Sequence, residues 1–397
     1  MNNFNDHNGL DHVLSVRLGN KQPNYKKVKS TRFPADKTAT WGLHDAYLQE
    51  VKADDSVLPS EDRSLLDMKI ALVNESMRAC THCPHACGID RLAGETGFCG
   101  VAAETAVHWE GVLFAEEHEI VPSYEVFTSG CTMRCAFCYS HEQILSPMIG
   151  NIMAPLELAK MATDRIKSGA VSLNMVGGDP TVHLYNFLKM LIHLDVSVPV
   201  VWNSNMYASD LVMQALDGII DLYLGDIHFG NHECAAKLGR IPRYLDTVKR
   251  NFEIAATRDA DVVVRHLVMP GHVECCAIPA MEWAVQKLPN VPFHLMFQYL
   301  PDYRALTLPE MNRAISADEK NRATDAAHRL GIKLYVGNPK GERSEHVNLH
   351  ANRNGADMLL GDTVNVIVQP DGQVVFHRLV EELIPVANAL ATDQRSC

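Results

Sequence analysis

The sequence predicts an α/β protein: a partial (βα)6-type barrel of parallel strands, with a cysteine-rich N-terminal extension and a small C-terminal hairpin cap. Three observations carry this prediction. From residue 124 onward, short apolar runs alternate with amphipathic stretches, the rhythm of βα units. Seven of the eleven cysteines fall in two tight groups, at 80–99 and 131–138. The last alternating apolar stretch, 364–376, centres on Pro370-Asp371-Gly372, a turn signal between two short strands.

The expected barrel strands are 124–128, 171–176, 198–203, 219–224, 261–268 and 292–299. Helical periodicity separates them at 156–167, 184–194, 208–216, 241–256 and 279–287, and a further unit pairs helix 317–330 with a strand at 333–336. The domain reading is an extension over 1–75, a cysteine-rich segment over 76–122, the barrel over 123–340 and the cap over 341–397. Residues 1–75 are polar and mixed, with Pro23, Pro34 and Pro59 scattered through them, and read as a partly ordered arm with one helix near 63–77.

Composition narrows the function classes. The 397 residues are 47% hydrophobic and 21% charged, ordinary for a globular chain. Lys plus Arg (36) against Asp plus Glu (48) gives a net charge of −12, which repels nucleic acid and anionic membranes rather than recruiting them. No apolar run approaches the ~20 residues of a spanning helix, and the N-terminus lacks a secretory pattern. The expectation is a cytoplasmic protein with neither a nucleic-acid nor a membrane partner. Cysteines in that compartment serve as ligands or catalytic groups more than as disulfides.

Directly after the first barrel strand stands FTSGCTMRCAFCYS, with Cys131, Cys135 and Cys138 at CxxxCxxC spacing. Three thiolates on one short loop reach three irons of a 4Fe-4S cubane and leave the fourth without a protein ligand. A zinc loop is the competing reading. The position at a strand's C-terminal end, where βα-barrel active sites lie, favours catalysis.

This loop, with Phe137 before its last cysteine, and several downstream segments resemble the radical S-adenosylmethionine (SAM) superfamily. The fit is nearest to proteins similar to pyruvate formate-lyase activating enzyme, over about 80–304. The resemblance implies that the catalytic cluster on Cys131, Cys135 and Cys138 binds SAM through its amino and carboxylate groups and cleaves it reductively. The resulting 5′-deoxyadenosyl radical would abstract hydrogen from a protein, peptide or small-molecule substrate, and a glycyl-radical activase is one version. A reducing partner of the flavodoxin or ferredoxin kind is implied with it.

The same resemblance implies the SAM contacts. Gly177, Gly178 and Asp179 stand where relatives carry a GGEP segment that binds the SAM ammonium, with Asp in place of Glu. Asn203-Ser204-Asn205 resembles an NTNG segment, which brings Asn203 and Asn205 to ribose or carboxylate. Asp226 begins an Asp-x-His in place of the usual Asp-x-Lys, so His228 departs from the pattern. Arg265, inside an apolar strand, suits a carboxylate, and a structural pair with a neighbouring Asp is its competing reading. Gln298, Tyr299, Tyr303 and Arg304 are weaker signals. Cys234, Cys275, Cys276 and Cys397 lack ligand spacing and read as small buried hydrophobes.

Cys80, Cys83, Cys87 and Cys99 make a CxxCxxxC pattern with a later fourth cysteine. Four thiolates close either a zinc site or a fully ligated 4Fe-4S cluster, and spacing leaves both open. His82 and His85 are less economical ligands. The alternative to an enzyme is a non-catalytic zinc or iron-sulfur protein serving interaction or electron transfer. Substrate identity is not encoded in these motifs.

Overall fold

In a computed structural model of the full chain, the described residues are 9–34, 36–53, 63–114, 117–147, 149–335 and the strand pair 365–368 and 374–377. Two compact units divide the chain: Met1–Leu113 with Glu119–Tyr335, and Phe114–His118 with Val336–Cys397. In the first unit, helices α1 (Asp11–Arg17), α2 (Asn24–Ser30) and α3 (Leu65–Ser76) precede the sheet. Ser64 starts α3 with a capping box: its hydroxyl accepts from the Asp67 N–H while the Asp67 carboxylate accepts from the Ser64 N–H.

Eight strands follow: β1 (Ala106–Leu113), β2 (Ser123–Thr128), β3 (Asn151–Ile152), β4 (Ser172–Gly177), β5 (Val200–Ser204), β6 (Leu222–Asp226), β7 (Asp261–Leu267) and β8 (Phe293–Met296). Their order across the sheet is β8-β7-β6-β5-β4-β2-β1-β3. The six strands from β2 to β8, omitting β3, pair in parallel, and β1 runs antiparallel to β2 and β3. The connections carry α4 (Pro155–Lys167), α5 (Leu184–His193), α6 (Asp210–Leu216), α7 (Tyr244–Ala255) and α8 (Ile278–Lys287), with α9 (Ala317–Leu330) last. All six expected barrel strands are present, in a mostly parallel, open α/β sheet.

The parallel strands bury both faces, as helix-covered sheets must. With a side-chain period of two, Val200, Trp202, Tyr223, Val262 and Val264 join the core shared with the helices. Their alternates Val201, Leu222, Leu224 and Val263 pack on the other face against Leu10, Val13, Ile120 and Tyr335.

Three features differ from the sequence reading. Of the seventh strand expected at 333–336, the described residues show one parallel bridge, Phe293 to Leu334, after the left-handed Gly331 that ends α9. The sequence reading passed over β1, the antiparallel strand on the outer side of β2. Residues 9–34, read from the sequence as part of a partly ordered arm, pack against the strands. His12 Nε2 and the Asn24 N–H both lie 3.0 Å from the Asp221 carboxylate, and the Val13 N–H donates to Asp261 at 2.8 Å. Asp221 precedes β6 and Asp261 opens β7, so α1 and α2 close the N-terminal end of the barrel.

In the second unit, Asn365–Val368 and Val374–His377 form an antiparallel pair, as the alternating Val and Ile residues predict. The Pro370-Asp371-Gly372 turn lies outside the described residues. Among the described residues, no helix is long and apolar enough to cross a membrane.

Leu10 is fully buried in the plug beneath the barrel. Leu10→Ala should lower unfolding stability by about 2–5 kcal/mol while leaving iron content unchanged, measured by denaturant unfolding beside metal analysis. An unaltered midpoint would contradict the plug.

Candidate active site and metal centres

The loop after β2 turns at Gly130, whose φ of +82° belongs to glycine; a side chain there would strike Val101 and sit 3.0 Å from the Cys99 carbonyl. Cys131 and Cys135 are buried and Cys138 is half-buried. The loop is held by its backbone. The N–H groups of Arg134 and Ala136 donate to the carbonyls of Gly239 (3.0 Å) and Leu238 (2.7 Å), and the Ala305 N–H donates to the Ala136 carbonyl (2.8 Å). Arg134 reaches the carbonyls of Cys131 and Phe98, and Arg304 those of Arg134 and Leu238. Arg304, a weak signal in sequence, is thus a brace for the cysteine loop.

Cys131 Sγ receives the Met133 N–H at 3.4 Å and the Asn205 amide at 3.6 Å, the donor environment of a metal-bound thiolate. Burial and neighbouring negative charge push the Cys131 and Cys135 thiols well up, and burial takes Cys138 to about 11. Such thiols release their protons only to a strongly electrophilic partner. One ion with tetrahedral thiolates needs its sulfurs about 3.8 Å apart, given zinc–sulfur bonds of about 2.3 Å. Among the described residues the only trio of metal-ligating side chains whose ligand atoms all lie within 4.8 Å is elsewhere, so these three sulfurs do not all approach one another that closely. Thiol chemistry suits the separate irons of a cluster.

Around this loop the structure assembles the other expected residues. Gly177, with φ +113°, and Gly178 cross directly beneath it. The Gly178 N–H donates to Thr128 and the Asp179 N–H to Gly130, and a Cβ on Gly178 would lie 1.8 Å from the Gly130 oxygen. Asp179 points inward, its carboxylate accepting from the Thr181 N–H (2.9 Å), the Ser204 hydroxyl (3.0 Å) and the Asn205 N–H (3.0 Å). Burial nevertheless raises its pKa. Asn205 passes the constraint on, donating to Thr132 Oγ1 as well as toward Cys131.

Arg265 on β7 forms a two-pronged pair with Asp226 on β6 (2.9 and 3.2 Å) and donates to Asn203 Oδ1 on β5 (2.5 Å). The three polar groups therefore form one cluster across three strand ends. His228 sits beside it, its ring 5.7 Å from Phe137. Its buried Nδ1 has no protein partner among the described residues, and burial lowers its pKa, so the ring is neutral and has an unspent polar atom. Tyr299 packs on Phe137, but its hydroxyl donates to the Met311 carbonyl at 2.9 Å.

The N-terminal cysteines also converge. Cys80, Cys83, Cys87 and Cys99 line one small recess, with His82, Arg91, Thr132 and Thr181. Gly97 makes room for it: a Cβ there would come 2.6 Å from Cys87 Sγ. Both His82 ring nitrogens are engaged, Nε2 by Ser76 and Nδ1 by Arg91, and His85 Nε2 donates to the Thr132 carbonyl. That leaves the thiols as the ligand set, with Cys83 pushed up to about 12 by burial. As in the barrel loop, no three of these sulfurs all lie within 4.8 Å of one another. Thr132 lines this recess and also bonds Asn205, so the two cysteine groups adjoin.

Cys234, Cys275 and Cys276 correct the sequence reading. They are not scattered hydrophobes: two loops bring their sulfurs within 4.8 Å of one another. Linear spacing carries no trace of a contact across some 40 residues between two strand ends.

Comparison with known proteins is consistent with this geometry. Residues 126–284 match the family model described as the radical SAM superfamily. The uncharacterized protein MJ0674 of Methanocaldococcus jannaschii is 35% identical over 303 residues, covering 74% of this chain and 88% of that one. Streptococcus suis SuiB bound to precursor peptide SuiA superposes with a TM-score of 0.40 at 10% identity, over 51% of this chain and 45% of SuiB, under half its length. TYW1 with a lysine-pyruvate adduct bound gives a TM-score of 0.35 at 12% identity, over 52% and 73%. Structural likenesses this distant say nothing about activity.

Gly178→Ala should lower stability by about 1–3 kcal/mol through the clash with Gly130 and reduce iron retained after reconstitution; full iron at unchanged stability would contradict the crossing. A second expectation concerns pH. His183, bonded to Thr105 and the Ser129 carbonyl, and His266, bonded to the Ile227 carbonyl, are buried and depressed from 6.5 to about 4. The unfolded chain takes up these protons near 6.5 and the folded chain only near 4. Stability is therefore full above 6.5 and is lost as pH falls toward 4. Thermal unfolding at pH 7 and pH 5 reads this, and a midpoint equal or higher at pH 5 would contradict it.

Proposed function

This chain belongs to the radical SAM superfamily, and from that premise we propose that it is an enzyme that reductively cleaves SAM at a 4Fe-4S cluster held by Cys131, Cys135 and Cys138. The observation that carries this reading is the loop itself: two buried thiols and a half-buried third on one short turn, with N–H donors aimed at Cys131 Sγ. A cluster held there would supply one electron to SAM, whose sulfonium C5′–S bond would break to leave methionine and a 5′-deoxyadenosyl radical able to abstract hydrogen from a substrate.

The chain's own residues then divide the work. Gly177 and Gly178 bring bare backbone to the mouth, where carbonyl groups can accept from the SAM ammonium. Asp179 is a positioning residue: its carboxylate is committed to Thr181, Ser204 and Asn205, and it acts on the cluster loop through Asn205. Asn203, Asp226 and Arg265 offer a pre-assembled polar cluster for the SAM carboxylate and ribose, since groups already paired move little when a ligand arrives. Neutral His228 has an unspent Nδ1 for the same ligand or for substrate. Phe137, buried among Phe229, Tyr299 and His228, keeps water from the loop.

The four N-terminal cysteines hold a second 4Fe-4S cluster in this reading. The recess lies against Thr132 beside the barrel loop, a position that suits a relay from a flavodoxin- or ferredoxin-type donor. The substrate class is a protein or peptide, as for an activase. Tyr139 (71% exposed), Leu145, Leu300 (63%) and Leu306 leave apolar surface around segments joined by the stacked rings of His141 and Tyr303, 4.7 Å apart.

Anaerobically reconstituted, dithionite-reduced protein should form 5′-deoxyadenosine from SAM, and Cys135→Ala should lower the rate roughly 100-fold or more. Cys83→Ser should lose about half of the iron and retain the barrel-loop reaction with dithionite. No 5′-deoxyadenosine from protein carrying full iron and sulfide would overturn the proposal.

A further inference from the structure

Outside the two cysteine groups used above, the loops that leave β6 and β7 place three more thiols together. Cys234 follows β6 within the turn that begins at Asn231, and Cys275 and Cys276 are adjacent in the helical turn after β7. Cys234 Sγ lies 3.8 Å from Cys275 Sγ, which lies 3.9 Å from Cys276 Sγ, and all three sulfurs are within 4.8 Å. The edge of a tetrahedron of thiolates around a zinc ion, with bonds of about 2.3 Å, is about 3.8 Å. The observed spacing is that of ligands to one soft ion, and it is much longer than the ~2.05 Å of a disulfide.

The surroundings are those of a thiolate site. The Asn231 side-chain amide donates to Cys234 Sγ at 3.2 Å and to the Cys275 carbonyl at 2.8 Å, and its carbonyl oxygen accepts from the Cys234 N–H at 2.7 Å. The Gly230 N–H hydrogen-bonds the Cys276 sulfur. Such N–H donors orient thiolates and offset their charge, as the outer partners of metal ligands do. Gly230 must be glycine for the two loops to meet, since a Cβ would lie 2.5 Å from the Cys276 carbonyl oxygen. Cys276 is buried, whereas Cys234 and Cys275 are half-buried, which leaves solvent one side from which to supply a fourth ligand.

We propose that Cys234, Cys275 and Cys276 form a mononuclear site for a thiophilic divalent cation of the zinc class, with three protein sulfurs and a solvent-derived fourth ligand. The ion ties the β6 loop to the β7 loop. Its effect reaches the catalytic loop through a short path: Leu238 and Gly239, only a few residues past Cys234, supply the carbonyls that accept from the Ala136 and Arg134 N–H groups. The site is distinct from both cysteine groups assigned to iron, and iron content reports on those groups separately.

The test uses the iron-loaded holoprotein, purified anaerobically, dialysed against zinc and washed of loose metal. Zinc and iron are counted in wild type, Cys234→Ser and Cys276→Ser, and zinc-edge X-ray absorption is recorded on the wild type. The expected result is one zinc per chain in the wild type, a zinc environment with three sulfurs at about 2.3 Å, and loss of that zinc in both variants with iron unchanged. Zinc in the wild type that both variants retain, or a zinc environment without sulfur, would overturn the site. So would a wild type that takes up no zinc while its iron is complete, or a Cys234–Cys275 disulfide in the anaerobic protein by mass spectrometry.

Discussion

The Asp179 carboxylate, withdrawn from water and accepting from Thr181, Ser204 and Asn205, ties the end of β4 to the end of β5, and the geometry of the barrel mouth follows from that tie. A buried carboxylate is tolerated when its oxygens are satisfied, and here the satisfaction is directional. Asn205, held by Asp179, turns its amide toward Thr132 and Cys131, while the glycines before Asp179 let the chain pass under Gly130. One short side chain thereby sets the distance between the cysteine loop and the strand ends that would receive a ligand. A longer acid at this position would need a different crossing beneath Gly130.

The two ends of the barrel divide stability from chemistry, as βα architectures do. At the N-terminal end, α1 and α2 bury Leu10, Val13 and Tyr25 and satisfy Asp221 and Asp261. At the C-terminal end, backbone carbonyls of Gly239, Leu238 and Arg134 accept from groups that brace the cysteine loop. The N-terminal cysteine recess belongs to this second end, through Thr132 and His85.

Much of this was legible in the sequence, for definable reasons. Parallel strands covered on both faces are apolar runs, so β2 and β4 to β8 stood out, and CxxxCxxC and CxxCxxxC mark cysteines that one short loop brings near one another. β1 was not legible: a bulge between Val107 and Trp109 breaks its alternation, and it contains polar His108 and Glu110. The N-terminal plug hid behind polar composition, because only a few residues such as Leu10, Val13 and Tyr25 supply its burial. Arg265 shows the limit of residue-type reasoning. The sequence left open a ligand carboxylate or a structural pair with a neighbouring Asp; the fold shows the pair, with Asp226, and adds Asn203. The Cys234, Cys275 and Cys276 contact is a property of two loops meeting and leaves no periodic signature.

The central claim is that Cys131, Cys135 and Cys138 hold an iron-sulfur cluster with one position open to SAM. The most direct measurement is the electron paramagnetic resonance spectrum of the dithionite-reduced protein, recorded with and without SAM, alongside Cys135→Ala. The account predicts one reduced-cluster signal that shifts when SAM is added and is absent from the variant. A spectrum indifferent to SAM, from protein with its full iron and sulfide, would contradict it.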